Sequence, residues 1–136
     1  KNLDLAQAIR RAGWTVITFN YRGSWGSPGA FSFRGNLEDA RAVLAYVRRP
    51  EVAAKIGGDP KRIAIMGHSM GGWVTSQVAA SDPDLLGAAL ISAADMGRMA
   101  AAPEPARMAL ARDNMESLAV TAEGMAAQLT TLGDAV

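Results

Sequence analysis

The residues with the clearest chemical potential lie in the stretch AIMGHSMGGWV, Ala64 to Val74. Ser69 stands there between Gly67 and Gly71, directly after an apolar run. A serine held at a sharp turn from a strand into a helix presents its hydroxyl to a carbonyl carbon, and glycine on both sides removes the clash with the following helix. The backbone N–H of Met70 would face the oxyanion that develops. The pattern therefore predicts a serine nucleophile.

Such a nucleophile needs a base, and the only histidine of the sequence is His68, the residue directly before Ser69. A general base must reach the hydroxyl at about 2.6–3.2 Å. Adjacent residues at a tight turn send their side chains in different directions, so we do not expect His68 to be the base. A glycine-rich turn from strand to helix without chemistry is the alternative interpretation of the motif.

Composition limits the class of protein. The 136 residues favour one domain, and 49% of them are hydrophobic, which is enough for a core. Fourteen basic against thirteen acidic residues give a net charge of +1, with no basic block to bind nucleic acid. The longest apolar run, Leu85 to Ala94, is shorter than the roughly 20 residues that cross a bilayer. Cysteine is absent, which does not determine the cellular compartment, and the cytoplasm is the default assumption. The sequence does not determine the oligomeric state.

The elements that must position Ser69 alternate between helix and strand. This alternation predicts an α/β fold with parallel strands. The predicted order is a helix at Asn2–Ala12, a strand at Trp14–Phe19, a helix that begins at Asn36, a strand at Ile63–Met66, a helix at about Gly71–Ala80 and a strand at Leu86–Ser92.

After Asp95 the strand signals stop, so we divide the chain into residues 1–95 and a helical lid or cap segment, residues 96–136. Apolar residues recur there at spacings of three and four, which predicts one helix face with Asn114 as a cap. This face either packs on the body of the chain or forms a methionine-rich lid over an apolar substrate. Its members are Met115, Leu118, Ala122, Met125, Leu129 and Leu132.

The sequence resembles the serine esterase-like and peptidase-like members of the α/β-hydrolase superfamily over about Leu3 to Asp95. IAIMGHSMGGWV is the most specific part, and FNYRGSWGSPGAFSF resembles the loop after the family's fourth strand. The resemblance implies part of a three-layer sandwich with the strand order 1-2-4-3-5-6-7-8. Trp14–Phe19, Ile63–Met66 and Leu86–Ser92 would be its fourth, fifth and sixth strands.

In this family the nucleophile, the acid and the histidine follow one another along the chain. The resemblance thus implies a central fragment, inactive by itself, with the histidine beyond Val136 and the second oxyanion donor before Lys1. Most members carry the acid after the seventh strand and a minority after the sixth, where Asp95 lies. A polar residue that merely ends the strand is the alternative for Asp95.

The family's third strand would also precede Lys1, so Trp14–Phe19 should either stand apart from Ile63–Met66 by the width of a strand or close up and pair with it. The loop from Asn20 to Phe33 follows a strand at the edge where open α/β sheets bind ligands. Tyr21 and Trp25 are therefore candidate substrate contacts, unless this is an ordinary surface loop.

These observations favour a serine hydrolase that cleaves a small carboxylic ester through an acyl-enzyme on Ser69. A serine peptidase or acyl-peptide hydrolase, which the YRGSWGSPG loop suggests, is the alternative, and a binding protein that keeps the fold without the catalytic residues is another. Neither a metal nor an organic cofactor is implied.

Overall fold

The computed structural model describes residues 3–113 and 118–133, which form an α/β fold, as the sequence predicts. Strands β1 (Ala64–His68) and β2 (Gly87–Ile91) pair in parallel, with Ala64 opposite Gly87 and His68 opposite Ile91. The helices of these ranges are α1 (Leu3–Arg11), α2 (Phe33–Val47), α3 (Pro50–Ile56), α4 (Met70–Ser81), α5 (Met96–Ala100), α6 (Glu104–Asp113) and α7 (Ala122–Gly133).

Helix α4 connects the two strands and supplies the core beside them. Val74 and Val78 of this helix are buried together with Leu44 of α2, and Ile63 and Ile65 pack against them. Side chains four residues apart lie on the same face of a helix, which is why the two valines meet one apolar surface. This cluster fixes the start of α4, and with it the position of Ser69, relative to β1.

Helix α2 begins three residues earlier than predicted. The side chain of Ser32 caps it by accepting a hydrogen bond from the backbone N–H of Gly35 at 2.8 Å. Asn36, the predicted first residue, is fully buried within the helix, and its Nδ2 donates to the Met70 sulfur at 3.4 Å. The predicted start was wrong because Ser32 and Asn36 are both residue types that favour the N-terminus of a helix. Tertiary packing, which buries Asn36, selects Ser32 as the cap.

A second apolar cluster joins the C-terminal helices to the loop before α2. Met125 and Leu129 of α7 are buried with Phe31 and Phe33, so this face packs on the body of the chain. The predicted single helix was wrong: α7 begins at Ala122, and Leu118 forms an isolated bridge instead. Asn114 and Met115 lie outside the described residues, and the division at residue 95 stays a prediction.

Helix α1 lies on the surface, because none of its nine described residues is buried. It ends at Arg11 and is followed by Gly13, whose φ of 97° lies in the left-handed region that glycine adopts without strain. Helix α3, which was not predicted from sequence, begins with Pro50 and ends at Ile56, with Gly57 as its left-handed C-cap. Among the helices of residues 3–113 and 118–133, none is long and apolar enough to span a bilayer.

The segment Trp14–Phe19 is not a strand within the described part of the chain, where no backbone ladder pairs with it. A groove of about 570 Å³ is lined by this segment and by β1. Trp14, Ile17, Phe19 and Met66 line it and are between 42% and 46% exposed. Direct pairing of this segment with β1, one of the two expected arrangements, is thus not seen in the described residues, and a separation by the width of a strand stays a prediction.

Candidate active site

Ser69 connects β1 to α4 through a strained backbone conformation. Its φ is 55° and its ψ is −120°, and the residue is exposed. A residue other than glycine in such a region costs of the order of 1–3 kcal/mol, which the surrounding structure must supply. The sharp turn from strand to helix that the sequence predicts at Ser69 is confirmed.

Backbone hydrogen bonds hold this conformation from two sides. The Ser69 N–H donates to the Ile91 carbonyl at 3.0 Å, which ties the turn to the end of β2. The Ser69 carbonyl accepts from the Ala94 N–H at 2.8 Å and from the Gly72 N–H at 2.9 Å. The turn is thus fixed by the loop after β2 as well as by the first turn of α4.

Two glycines make this turn possible. A Cβ on Gly67 would overlap the Gly71 carbonyl and the Thr75 hydroxyl, and a Cβ on Gly72 would lie 2.6 Å from the Ala93 Cβ. Real Cβ atoms do not approach other heavy atoms so closely, so the backbone would have to move. The close approach of α4 to β1 therefore requires glycine at position 67, and its close approach to the loop after β2 requires glycine at position 72.

We predict that Gly67→Ala and Gly72→Ala each lower the stability of the full-length protein by about 1–3 kcal/mol or more, because overpacking forces backbone shifts. Thermal unfolding of the purified variants measures this effect. Gly87→Ala is the matched control, since in the described part of the chain no heavy atom beyond its two chain neighbours lies within 4 Å of its Cβ position. An unchanged melting temperature in Gly67→Ala would contradict the prediction.

Met70 is the first residue of α4, and its side chain is half-buried. The N–H groups of the first helical turn have no intrahelical acceptor, and the helix dipole makes this end favourable for negative charge. The Met70 N–H is therefore available at the turn that carries Ser69. Its role toward an oxyanion stays a prediction.

The two titratable residues beside the turn have different surroundings. His68 is the last residue of β1 and is exposed. Asp95 follows β2 and caps α5, since its Oδ1 accepts the Arg98 N–H at 2.9 Å. Asp95 comes directly after Ala94, which bonds to Ser69, but its side chain has a local structural role, and a catalytic one stays a prediction.

An ion pair anchors the loop from Asn20 to Phe33. The backbone N–H of Arg22 and its Nε each donate to the Asp39 carboxylate at 2.8 Å. Burial alone would raise the pKa of Asp39, but the hydrogen bonds and charge of Arg22 outweigh it, so the pKa of this carboxyl is lowered. The start of the loop is thereby tied to α2.

The lowered pKa of Asp39 makes the stability of the fold depend on pH. A lowered pKa in the folded state means that Asp39 contributes stability above its unfolded pKa of about 3.9, and that this stability is lost as the pH falls through the folded value. We expect Asp39→Asn in the full-length protein to be less stable at neutral pH and to lose less stability than the wild type on acidification. Urea unfolding at a series of pH values measures the difference.

Glu38→Gln is the control for this prediction, because the Glu38–Arg22 pair is longer, at 3.4 Å, and more exposed. Equal acid sensitivity of Asp39→Asn and the wild type would show that the Arg22 pair does not stabilise the fold.

Tyr21 lies close to Gly71 at the start of α4, two residues after Ser69. Its hydroxyl is 3.9 Å from the position of a Cβ on Gly71, and its ring meets that of Phe19 edge to face, with centroids 5.2 Å apart. Burial, and secondarily the charge of Asp39, raises the pKa of Tyr21 to about 12, so it is a neutral phenol at physiological pH. The structure thus brings Tyr21 close to the turn, and contact with a substrate stays a prediction.

Trp25 occupies the tip of a turn from Ser24 to Ser27. The Ser27 N–H donates to the Ser24 carbonyl at 3.0 Å, and the central residues Trp25 and Gly26 have φ values of 50° and 83°. These are the φ signs of a type I′ turn. Trp25 is 60% exposed, and its positive φ costs energy that a glycine would not require.

The contact that supports this loop was not predicted from sequence. Leu118 pairs with Ser24, the Ala119 N–H donates to the Gly23 carbonyl at 2.7 Å, and the Ala119 carbonyl accepts the Phe31 N–H at 3.1 Å. About ninety residues separate the partners, and no local motif marks the pairing.

A parallel sheet with a crossing helix, and a strained serine where the strand enters that helix, places the protein among the α/β hydrolases. The sequence profile described as "Alpha/beta hydrolase family" matches residues 3–134, and the chain belongs to that family.

Curated relatives cover part of the chain. Two proteins of Mycobacterium tuberculosis, Uncharacterized protein Rv2307c (strain ATCC 25618 / H37Rv) and Uncharacterized protein MT2364 (strain CDC 1551 / Oshkosh), are each 36% identical over 80 residues, 59% of this chain and 27% of the relative. Lysophosphatidylserine lipase ABHD12 of Danio rerio is 33% identical over 76 residues, 56% of this chain and 18% of the relative. The matched regions thus span about a quarter or less of these relatives, and no solved structure matches the chain.

Proposed function

We propose that the full-length protein containing this chain is a serine hydrolase that cleaves carboxylic esters through an acyl-enzyme on Ser69. The observation that carries the proposal is the backbone of Ser69, an exposed serine with a φ of 55° between a parallel strand and a helix. Strain of this kind persists where the surrounding structure maintains it, and it clusters at functional sites.

The proposed reaction uses this geometry directly. The Ser69 oxygen attacks the ester carbonyl carbon while a histidine beyond Val136 takes the hydroxyl proton. The Met70 N–H donates to the oxyanion of the tetrahedral intermediate. Collapse of the intermediate breaks the bond to the alcohol, which leaves with the proton from that histidine. Water then attacks the acyl-enzyme by the same steps and releases the acid.

The carboxylate that orients the histidine is the least defined part of the proposal. Asp95 is the candidate within this chain, and a residue beyond Val136 is the other. An ester is favoured over a peptide because one relative carries the name of a lipase. A peptidase and a binding protein without catalysis are the alternatives.

A fluorophosphonate probe tests the proposal on the full-length protein, because it reacts covalently with an activated serine. We expect labelling of the wild type and of Ser81→Ala, and loss of labelling in Ser69→Ala. Ser81 is the matched control, since it lies at the other end of α4 with its hydroxyl bonded to the Val78 carbonyl at 3.1 Å. A folded wild-type protein that is not labelled would favour the binding protein.

A further inference from the structure

A buried polar side chain interrupts the apolar face of α2. Asn36 is fully buried, and Phe33, Ala40 and Leu44, which share its face of the helix, pack in the two apolar clusters described above. A carboxamide carries two N–H donors and an acceptor oxygen with two lone pairs, and burial removes all of them from water. The side chain of Asn36 therefore needs hydrogen-bond partners within the protein.

The bonds of this amide do not account for its burial. Its Nδ2 donates to the Met70 sulfur at 3.4 Å, and a thioether is a weak acceptor. In the described part of the chain, the Asn36 Oδ1 has no hydrogen-bond partner. A buried acceptor without a partner loses the free energy of its hydration, whereas an apolar side chain of the same shape does not. The stability of the fold therefore does not explain an asparagine at this position.

The hydrogen bond from Asn36 leads to the residue after the proposed nucleophile. Met70 directly follows Ser69 and is the first residue of α4. Its side chain is half-buried and packs against the cluster that contains Phe31 and Phe33. A methionine side chain has three rotatable bonds, and a hydrogen bond to its sulfur restricts them. Asn36 thus joins α2 to the residue at which α4 begins.

This contact complements the bonds that hold Ser69. The backbone of Ser69 is bonded to Ile91 at 3.0 Å and to Ala94 at 2.8 Å, from the end of β2 and the loop after it. Asn36 holds the next residue from α2. A donor to an oxyanion must lie about 2.7–3.1 Å from the oxygen on which the charge develops, so a small displacement of the Met70 N–H weakens its effect.

We propose that Asn36 is a positioning residue for the oxyanion site, because its amide holds Met70 and with it the N–H that donates to the oxyanion. This inference rests on the proposed function and adds a residue to the same site. Since Asn36 is fully buried, it acts through Met70 and not by contact with the substrate. The buried amide then serves the rate of the reaction at a cost in the stability of the fold.

The test is steady-state hydrolysis of p-nitrophenyl acetate by the full-length protein and its Asn36→Leu variant. Leucine is of similar size and removes both the Nδ2 donor and the unpartnered Oδ1. We expect kcat to fall about tenfold, less than the 10²–10³-fold loss on deleting an oxyanion donor. KM should stay within about twofold, because the substrate carries no oxyanion before the reaction. The melting temperature should equal or exceed that of the wild type.

Two further variants separate positioning from a general effect on the fold. Met70→Leu conserves the volume and the backbone N–H but removes the sulfur, so we expect a similar fall in kcat. The variant with both changes should lose no more than either single variant, because both remove the same hydrogen bond. Ser24→Ala is the matched control, since the Ser24 hydroxyl is also buried and unpartnered among the described residues. Its kcat should stay within about twofold of the wild type.

If the wild type shows Ser69-dependent hydrolysis and Asn36→Leu keeps its kcat within about twofold, the inference alone fails. Losses of kcat that multiply in the variant with both changes would also overturn it, because the two side chains would then act independently. If Asn36→Leu does not fold, Met70→Leu decides, and an unchanged kcat in that variant overturns the inference. If the wild type shows no Ser69-dependent hydrolysis, the proposed function fails, and the positioning role of Asn36 fails with it.

Discussion

Ser69→Ala in the full-length protein is expected to lower kcat for p-nitrophenyl acetate by about 10⁴–10⁶-fold, the order of the losses seen when single members of a complete catalytic triad are removed. The alanine keeps the Cβ and the backbone bonds to Ile91 and Ala94, so the fold of the turn should remain. Only the attacking oxygen is lost. Steady-state hydrolysis, with thermal unfolding to show that the variant is folded, measures the effect.

His68→Gln provides the control for this prediction, because it changes the adjacent exposed side chain and leaves Ser69 in place. We expect its kcat to stay within about tenfold of the wild type, because adjacent residues at a tight turn send their side chains in different directions, so that His68 is not the expected base. Loss of activity in His68→Gln equal to that in Ser69→Ala would contradict the assignment of the base to a histidine beyond Val136. Retained activity in Ser69→Ala would contradict the nucleophile.

Residues 1–136 alone are expected to hydrolyse no ester and to aggregate. The base and the second oxyanion donor are proposed to lie elsewhere in the full-length protein. The groove between Trp14–Phe19 and β1 exposes apolar side chains and a free strand edge, and such edges pair with other chains. Analytical ultracentrifugation and the soluble fraction after expression measure the association.

The proposed cause of aggregation, the exposed groove between Trp14–Phe19 and β1, can be tested by introducing a charged side chain into the groove. Met66→Lys should increase the soluble fraction of residues 1–136, because a lysine on an exposed edge opposes pairing. In the full-length protein the same change should prevent folding, if a strand of that protein fills the groove and buries Met66. Leu3→Lys is the control, since Leu3 is 61% exposed on α1, away from the groove lining, and should change neither.

A sharp cooperative melt from a soluble monomer of residues 1–136 would contradict the second prediction, because it would show that the groove needs no partner. Ester turnover by that monomer, abolished by Ser69→Ala, would contradict the proposed location of the base.

The backbone geometry at Ser69 could be predicted from sequence because all of its causes are local. The apolar run, Gly67 and the following helix lie within about ten residues, and each restricts the same turn. The prediction that Gly71 removes a clash was wrong, because among the described residues outside its own helix a Cβ there would meet only the Tyr21 hydroxyl, at 3.9 Å, and the second required glycine is Gly72. The parallel pairing of β1 with β2 was also predictable, since a single crossing helix separates them.

The surroundings of Trp25 could not be predicted in this way. The pairing of Ser24 with Leu118 joins segments that are far apart in sequence, and neither carries a strand pattern. The positive φ at Trp25 follows from how the loop is held, whereas the residue type alone indicates negative φ. The position of the loop made Trp25 a candidate substrate contact, but the strain of its backbone is a property of the tertiary structure.

The close approach of Gly72 to Ala93 has a consequence for how sequences of this family can diverge. Because a Cβ on Gly72 would lie 2.6 Å from the Ala93 Cβ, the two positions share one small volume although twenty residues separate them. A larger residue at 93 would displace the loop whose Ala94 N–H bonds to Ser69, even with Gly72 unchanged. Homologues should therefore keep small residues at both positions together, and a substitution that enlarges one should be accompanied by a compensating shift in the loop after β2.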